Sequence, residues 1–192
     1  MPYTYPIETE AMFDDRADQF VAFGIPAGDV ERMRSNITDM WLDAPGGWVY
    51  EWSILGAEYA EKGQHYLASL IYGCAKFPCL AHEPRAVALG KQVEEYQAAS
   101  SSFPVRFERR LLSVPYVGGE VEVPVHIYSA TGEYESLPVL LMSAGVDTWK
   151  MDIHGMLVAA AQHTGATVLA FDMPGTGEIA TFHSTTTRTR SS

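Results

Sequence analysis

The fold of this chain is decided by residues 138–177, which read PVLLMSAGVDTWKMDIHGMLVAAAQHTGATVLAFDMPGTG. An apolar run at residues 138–142 breaks at small residues, and a second apolar run at residues 166–171 ends before Asp172. Between the two runs, apolar residues recur at three- and four-residue steps, as in a helix: Met151, Met156, Leu157, Ala160 and Ala161. The pattern predicts strand, loop, helix and strand. Because a helical crossover joins parallel strands, we expect a parallel pair with both faces of the sheet covered.

The loops that follow these two strands are the predicted place for chemistry. In open α/β sheets, ligands meet the loops at the carboxyl ends of the strands. In this sequence those loops are residues 143–150 and 172–178.

The first hundred residues carry five helical patterns joined by short loops. Asp14 is predicted to cap the first helix and Gly24 to end it. The other four patterns cover residues 26–40, 48–60, 65–77 and 84–98. The sequence therefore predicts an all-helical domain over residues 1–100.

After a run of serines at residues 100–102 the hydrophobic period changes from that of helices to that of strands. Residues 107–115 and 120–128 read as strands, the second with strict alternation of apolar residues. Gly118 and Gly119 between them indicate a tight hairpin turn. An antiparallel hairpin is thus expected to lead into the parallel unit, giving an α/β sheet domain over residues 101–180.

Charge and cysteine content restrict the class of protein. The net charge of −11 disfavours nucleic acid and anionic membranes as partners. The two cysteines, Cys74 and Cys79, form neither a disulfide framework nor a four-ligand zinc set, so we expect no metal site. The sequence shows no leader peptide, membrane-spanning run or C-terminal peroxisomal signal, and a cytoplasmic location is expected.

A dinucleotide-binding motif is formally present but lies in the wrong context. Residues 175–180 match G-x-G-x-x-A after a strand. That fingerprint should open a helix within a complete βαβ unit, whereas here a Thr- and Ser-rich segment follows. We therefore expect no nucleotide cofactor and no other cofactor.

The order of the elements resembles the opening half of an α/β-hydrolase. More closely, a helical N-terminal segment joined to LPVLLMSAGVDTWKMD and VLAFDMPGTGE is similar to the FrsA-like esterase family. That family is similar in turn to fungal hydrolases that act on polyketide or acyl intermediates of pigments and toxins. The resemblance runs from the helical cap to about Ala180.

The resemblance implies serine-esterase chemistry. A serine on a strand-to-helix elbow attacks a carbonyl, a histidine accepts its proton, and an aspartate orients the histidine. Backbone N–H groups stabilise the oxyanion, partly from the loop after the first parallel strand. That loop is here Ala144, Gly145, Val146 and Asp147. Gly145 would allow close approach of a substrate, and Asp147 would hold the loop by bonding to its own backbone.

No G-x-S-x-G elbow occurs in the 192 residues. The family order would place serine, acid and histidine after Ser192, so no triad residue is assigned. His154, His163 and His183 are interpreted as packing or surface residues, and Asp172 as part of a turn. Because residues 181–192 turn abruptly to Thr, Ser and Arg, we expect a disordered tail and a truncated hydrolase core.

Two classes of function stay open at this point. The first is a hydrolase of polyketide toxin or pigment biosynthesis that acts on a small acyl substrate and is inactive as this chain. The second is a non-enzymatic helical module that docks on an intact paralogue or another partner. In either case, an exposed sheet edge would favour association with a second copy or another protein.

Overall fold

The computed structural model describes residues 7–116, 119–132, 134 and 136–179. By its contacts the chain divides into two units. One unit is Met1–Phe103 together with Met151–Gly155, and the other is Pro104–Lys150 together with Met156–Ser192. Residues 181–192, with the predicted tail and His183, lie outside the described residues.

The first unit contains the five helices that the sequence predicts. Within the described residues they are α1 Thr9–Phe23, α2 Ala27–Asn36, α3 Trp48–Glu61, α4 His65–Lys76 and α5 Glu83–Ala99, followed by a short 3-10 helix at Ser100–Ser102. Gly24 ends α1 in a left-handed conformation with φ of 111°, as predicted. The prediction that Asp14 caps α1 is wrong, because the helix begins at Thr9 and Asp14 lies in its second turn. Asp14 instead forms an ion pair with Arg34.

Aromatic side chains form the centre of the helical unit. Phe13, Phe20, Trp48 and Trp52 are all buried and pack against one another in tilted and edge-to-face arrangements, with the Phe13 and Trp48 ring centroids 5.0 Å apart. The indole N–H of Trp48 donates to the carbonyl of Cys74 at 2.8 Å. These rings contact one another and the backbone of α4, so they serve the core.

A buried ion pair holds the segment Met151–Gly155 within the helical unit. Lys76 Nζ lies 2.7 Å from Asp152 Oδ2, and Gln92 Nε2 donates to Asp152 Oδ1 at 2.6 Å. Lys76 and Asp152 expose 1% and 8% of their side chains. A Cβ on Gly73 would stand 2.7 Å from Asp152 Oδ1, so this glycine leaves room for the carboxylate. The sequence assigned residue 152 to the sheet domain, and its contacts place it with the helices.

The second unit is a four-stranded mixed sheet in the order β1-β2-β4-β3. The strands are β1 Arg106–Tyr116, β2 Gly119–Ser129, β3 Val139–Ser143 and β4 Thr167–Phe171, with helix α6 at His154–Thr164 between β3 and β4. As predicted, β1 and β2 form an antiparallel hairpin and β3 pairs parallel with β4. Gly118 of the predicted hairpin turn lies outside the described residues. Met151 precedes α6, because the helix begins three residues later than the apolar repeat suggested.

The two parallel strands differ in burial. Strand β4 lies between β2 and β3, and Val168 and Ala170 are fully buried. Strand β3 is at the edge of the sheet and exposes 57% of Val139 and 64% of Leu141. The expectation that both faces of the parallel strands are covered is therefore wrong for β3. No described helix is long and apolar enough to cross a membrane.

Replacing Lys76 by Met should destabilise the helical unit by roughly 3–5 kcal/mol, because the buried Asp152 carboxylate loses its cation. The matched control is Lys91→Met, whose partner Glu94 is 63% exposed. Breaking such a surface pair should cost about 1 kcal/mol or less. Urea unfolding measures both, and the addition of Asp152→Asn to Lys76→Met should restore part of the loss. Equal effects of the two single variants would contradict a buried ion pair.

His154 should make stability depend on pH. Its ring is buried between Tyr66 and Phe103, with Nδ1 2.6 Å from the Tyr96 hydroxyl, and burial lowers its pKa from 6.5 to about 4. The unfolded chain therefore binds this proton first as the pH falls. The free energy of unfolding should drop between pH 6.5 and about 4, by about 3 kcal/mol at most, and this contribution should be constant above pH 6.5.

The measurement for His154 is denaturant unfolding of the wild type and of His154→Gln across this pH range. Glutamine can still bond to the Tyr96 hydroxyl but does not titrate. As the pH falls from 6.5 to about 4, the wild type should lose unfolding free energy relative to His154→Gln. Parallel pH curves would show that His154 is not the group responsible.

Candidate functional site

The loops after β3 and β4 are joined by a buried carboxylate. Asp172, at the end of β4, is 1% exposed. Its Oδ1 accepts the backbone N–H of Lys150 at 2.9 Å, and its Oδ2 lies 2.5 Å from Lys150 Nζ. Because Lys150 ends the loop that follows β3, the pair fixes the end of one loop against the start of the other.

Two further charged residues complete this cluster, which we call the loop lock: Lys150, Asp172, Glu178 and Arg109. Glu178 Oε2 lies 2.7 Å from Lys150 Nζ, and the Glu178 N–H donates to Asp172 Oδ2 at 3.1 Å. Arg109 on β1 reaches Glu178 Oε1 at 2.5 Å. Two cations thus face two anions with little exposed surface, which is the condition under which buried charges are tolerated.

Gly177 is required by the loop lock. Its φ is +53°, and a Cβ there would stand 2.2 Å from Asp172 Oδ2. The first and last residues of the D-x-x-G-x-G motif are therefore explained by one contact, in which the carboxylate occupies the space beside the glycine. Residues 177–179 form a short 3-10 turn directly after this contact, and no nucleotide is needed to account for the motif.

The predicted oxyanion loop lies on the surface beside the loop lock. Gly145 and Val146 are exposed, whereas Ala144 and Asp147 are half-buried. The loop is anchored by Trp149, a buried residue whose indole N–H donates to the Val146 carbonyl at 3.0 Å. The Asp147 carboxylate accepts the Thr148 hydroxyl at 3.4 Å.

Gly145 is not needed for the loop's conformation. Its φ lies outside the left-handed region, and a Cβ there would approach only Asp147 Oδ1, at 3.8 Å. A turn that needs glycine would show a positive φ or a steric conflict, as Gly177 does. The absence of a side chain at Gly145 therefore leaves open surface in front of the loop backbone.

Other sequence candidates lie outside the loop lock. His154 is buried with Tyr96 in the helical unit, and the exposed His163 contacts the Ala159 carbonyl of its own helix at 2.8 Å. Cys74 and Cys79 are free thiols, and burial raises the pKa of Cys74. Among the described residues, no group of three or more His, Cys, Asp or Glu side chains is placed to hold a metal ion.

Sequence reasoning missed the roles of Lys150, Glu178 and Arg109. Lys150 is the last residue of the Gly-Val-Asp-Thr-Trp-Lys run, and Glu178 directly follows the Asp-Met-Pro-Gly-Thr-Gly run. Both residues therefore lie inside the segments that resemble the FrsA-like family. Arg109 lies on β1 and comes near only because β1 and β2 form a hairpin in the same sheet. Asp172, interpreted as a turn residue, does bond to the turn, and it also carries the ion pair.

The fold and this motif pair define an α/β-hydrolase-type protein, and sequence comparison gives the family. The family model for FrsA-like esterases matches residues 14–190. The chain belongs to the FrsA-like esterase family.

The individual curated relatives share only about a quarter of their residues with this chain. Esterase FrsA of Vibrio vulnificus strain YJ016 is 25% identical over 161 residues, covering 74% of this chain and 37% of that protein. Esterase FrsA of Enterobacter sp. strain 638 is 27% identical over 168 residues, covering 80% of this chain and 39% of that protein. The chain thus spans well under half the length of these relatives.

Solved structures share the fold. Wild-type AbyA5 superposes with a TM-score of 0.67 at 27% identity, over 85% of this chain and 45% of AbyA5. The 2,6-dihydroxy-pseudo-oxynicotine hydrolase superposes with a TM-score of 0.64 at 22% identity, over 84% of this chain and 46% of that protein, and shows the fold alone. The described helices and sheet therefore correspond to part of an α/β-hydrolase.

Gly177→Ala should destabilise the sheet unit more than Gly165→Ala does. Both glycines have a positive φ, but a Cβ at Gly165 meets nothing within 4 Å. Gly165→Ala should therefore cost about 1–2 kcal/mol, the penalty for a left-handed alanine. Gly177→Ala must also displace Asp172 from Lys150, which adds a loss comparable to a broken buried ion pair, roughly 3–5 kcal/mol. Urea unfolding compares the two, and equal losses would mean that the loop lock does not depend on Gly177.

Proposed function

We propose that this chain forms the helical cap and the first strands of a serine hydrolase that cleaves acyl esters. In this proposal residues 144–147 supply a backbone N–H donor to the oxyanion. The observation that carries the proposal is the loop lock, which fixes the end of the candidate loop through the Lys150–Asp172 pair. Membership of the FrsA-like esterase family supports the reaction class.

The chemistry proposed for the site needs a donor that is already in place. A serine hydroxyl attacks the acyl carbonyl carbon and passes its proton to a histidine. The π electrons of the carbonyl move onto its oxygen, which becomes the oxyanion. An N–H that is held rigidly near this oxygen costs no reorganisation during the reaction. The loop lock, whose Lys150–Asp172 pair is fully buried and bonded to the backbone at Lys150, can provide that rigidity.

The nucleophile, the acid and the histidine are not assigned to residues of this chain. No G-x-S-x-G elbow occurs in it, and its curated relatives are considerably longer. We therefore propose that the 192 residues by themselves do not hydrolyse esters, and that the triad belongs to the remainder of a full-length hydrolase.

For the substrate we propose an acyl or polyketide-like small molecule of secondary metabolism. The two loop motifs resemble the FrsA-like family, which is similar in turn to fungal pigment and toxin hydrolases, and this supports the proposed substrate class. A panel of aryl esters with acyl chains of increasing length, compared with β-diketones, would separate ester cleavage from carbon–carbon cleavage.

The oxyanion proposal is tested in a full-length hydrolase made by joining this chain to the remaining part of an FrsA-like relative. Gly145→Val should lower kcat by roughly a hundredfold, the effect of losing one oxyanion donor. Gly145→Ala should have a smaller effect, because its Cβ fits at 3.8 Å from Asp147. Thermal stability should not change, since Gly145 is exposed and its φ is ordinary.

The control for this experiment is labelling by a fluorophosphonate probe. The full-length hydrolase should be labelled at one serine, and the 192-residue chain should not. Labelling of a serine in the 192-residue chain, lost on denaturation, would overturn the proposed absence of a nucleophile. An unchanged kcat in a folded Gly145→Val variant would place the oxyanion donors elsewhere.

We further propose that the 192-residue chain associates through strand β3. Among the strands that the structure describes, β3 has a neighbour on one side only, and Leu141 on it is 64% exposed, so β3 can pair with another strand. Leu141→Lys should therefore shift the chain towards monomer in sedimentation velocity. Val21→Lys, at an exposed aliphatic residue of α1, should leave association unchanged. A wild-type chain that is already monomeric at high concentration would overturn this proposal.

A further inference from the structure

The helical unit carries a surface groove that the proposed hydrolase chemistry does not use. We call it the acidic groove, and it encloses about 400 Å³ between α3, the start of α5 and the loop before α3. Its apolar wall includes Tyr50 and Ile54 on α3 and Pro84 and Val87 on α5. Two carboxylates, Asp43 and Glu83, also line it.

The apolar wall is exposed to an unusual degree for this unit. Ile54 is 46% exposed and Val87 57%. The other exposed large aliphatic residues among the described residues of the helical unit are Val21 at 41% and Leu42 at 44%, and Leu42 is next to Asp43 in the chain. The two most exposed aliphatic side chains of the described helical unit thus line one groove, and an exposed apolar patch with polar sides is a common sign of a binding surface.

The two carboxylates of the groove have no cationic partner among the described residues, whereas several other surface acids of the unit do. Glu58 pairs with Arg32, and Glu94 pairs with Lys91. Glu83 lies in the first turn of α5, where a negative charge interacts favourably with the helix dipole. Asp43 lies in a loop and has no such role. Both carboxylates are exposed and available to a ligand.

The helical unit as a whole is negatively charged, like the groove. The first hundred residues carry 15 acidic and 7 basic side chains, which gives −8. Two of the seven basic residues, Lys76 and Arg85, are buried. An apolar groove with acidic sides on an acidic surface complements a ligand that is apolar on one face and cationic on the other.

We propose that the acidic groove docks a cationic amphipathic segment of a partner protein. Apolar side chains of the segment would cover Ile54 and Val87, and its Lys or Arg residues would pair with Asp43 and Glu83. Helix-in-groove recognition uses apolar anchors of this kind, spaced three and four residues apart. This docking does not depend on the hydrolase activity proposed above.

The test uses the full 192-residue chain and a fluorescein-labelled peptide with Leu and Lys at helical spacing. Fluorescence anisotropy should show saturable binding with a one-to-one ratio. A peptide with the same composition in scrambled order should bind at least about tenfold more weakly, a difference of about 1.4 kcal/mol, because it lacks an apolar face. A peptide with Glu in place of Lys should not bind.

Variants of the groove separate docking from general attraction to an acidic protein. Ile54→Ser/Val87→Ser should weaken binding about tenfold or more, and Asp43→Asn/Glu83→Gln should weaken it and reduce its dependence on salt. The matched controls are Val21→Ser and Asp15→Asn/Asp18→Asn, which change exposed residues of α1 outside the groove. These controls should bind like the wild type. Circular dichroism confirms that every variant is folded.

Three results would overturn the proposal. Equal binding by groove variants and controls would mean non-specific attraction to the net charge. Loss of wild-type self-association in Ile54→Ser/Val87→Ser, measured by sedimentation velocity, would assign the groove to a second copy of this chain. No binding of the Leu/Lys peptide up to the millimolar range would show that the groove does not recognise cationic amphipathic segments.

Discussion

The sheet unit depends on the neutralisation of one buried carboxylate. Asp172 is removed from water at the end of β4, and an isolated buried carboxylate would be strongly unfavourable. Lys150 supplies the counter-charge and a backbone N–H, and Glu178 and Arg109 balance the remaining charge. These contacts join the loops at the carboxyl ends of β3 and β4, and the space that the carboxylate occupies explains the glycine at position 177.

The helical unit solves a similar problem at Asp152. Lys76 and Gln92 come from α4 and α5, and Gly73 leaves the space for the carboxylate between them. Lys150, which contacts Asp172, immediately precedes the short segment Met151–Gly155, and Asp152, which contacts Lys76, lies within that segment.

This arrangement gives a physical meaning to the family motifs. In the FrsA-like esterase family the sequence around the loop after β3 and the turn after β4 carries the resemblance, and both segments contribute to the loop lock. In this chain Lys150, Asp172 and Gly177 of these segments serve the placement of a loop backbone. The fold alone would not assign chemistry to that loop, since one fold supports many functions.

The sequence by itself determined the elements and their local order. Helical spacing and breakers such as Gly24 predicted five helices, and alternation along residues 120–128 with a Gly-Gly turn predicted the hairpin, because these signals depend on neighbouring residues only. Only the tertiary structure decided which charges meet. Lys150 and Asp172 are 22 residues apart and Lys76 and Asp152 are 76 apart, and no local period records such pairs. The apolar sequence of β3 wrongly predicted that the strand is covered, because its exposure depends on its edge position in the described sheet.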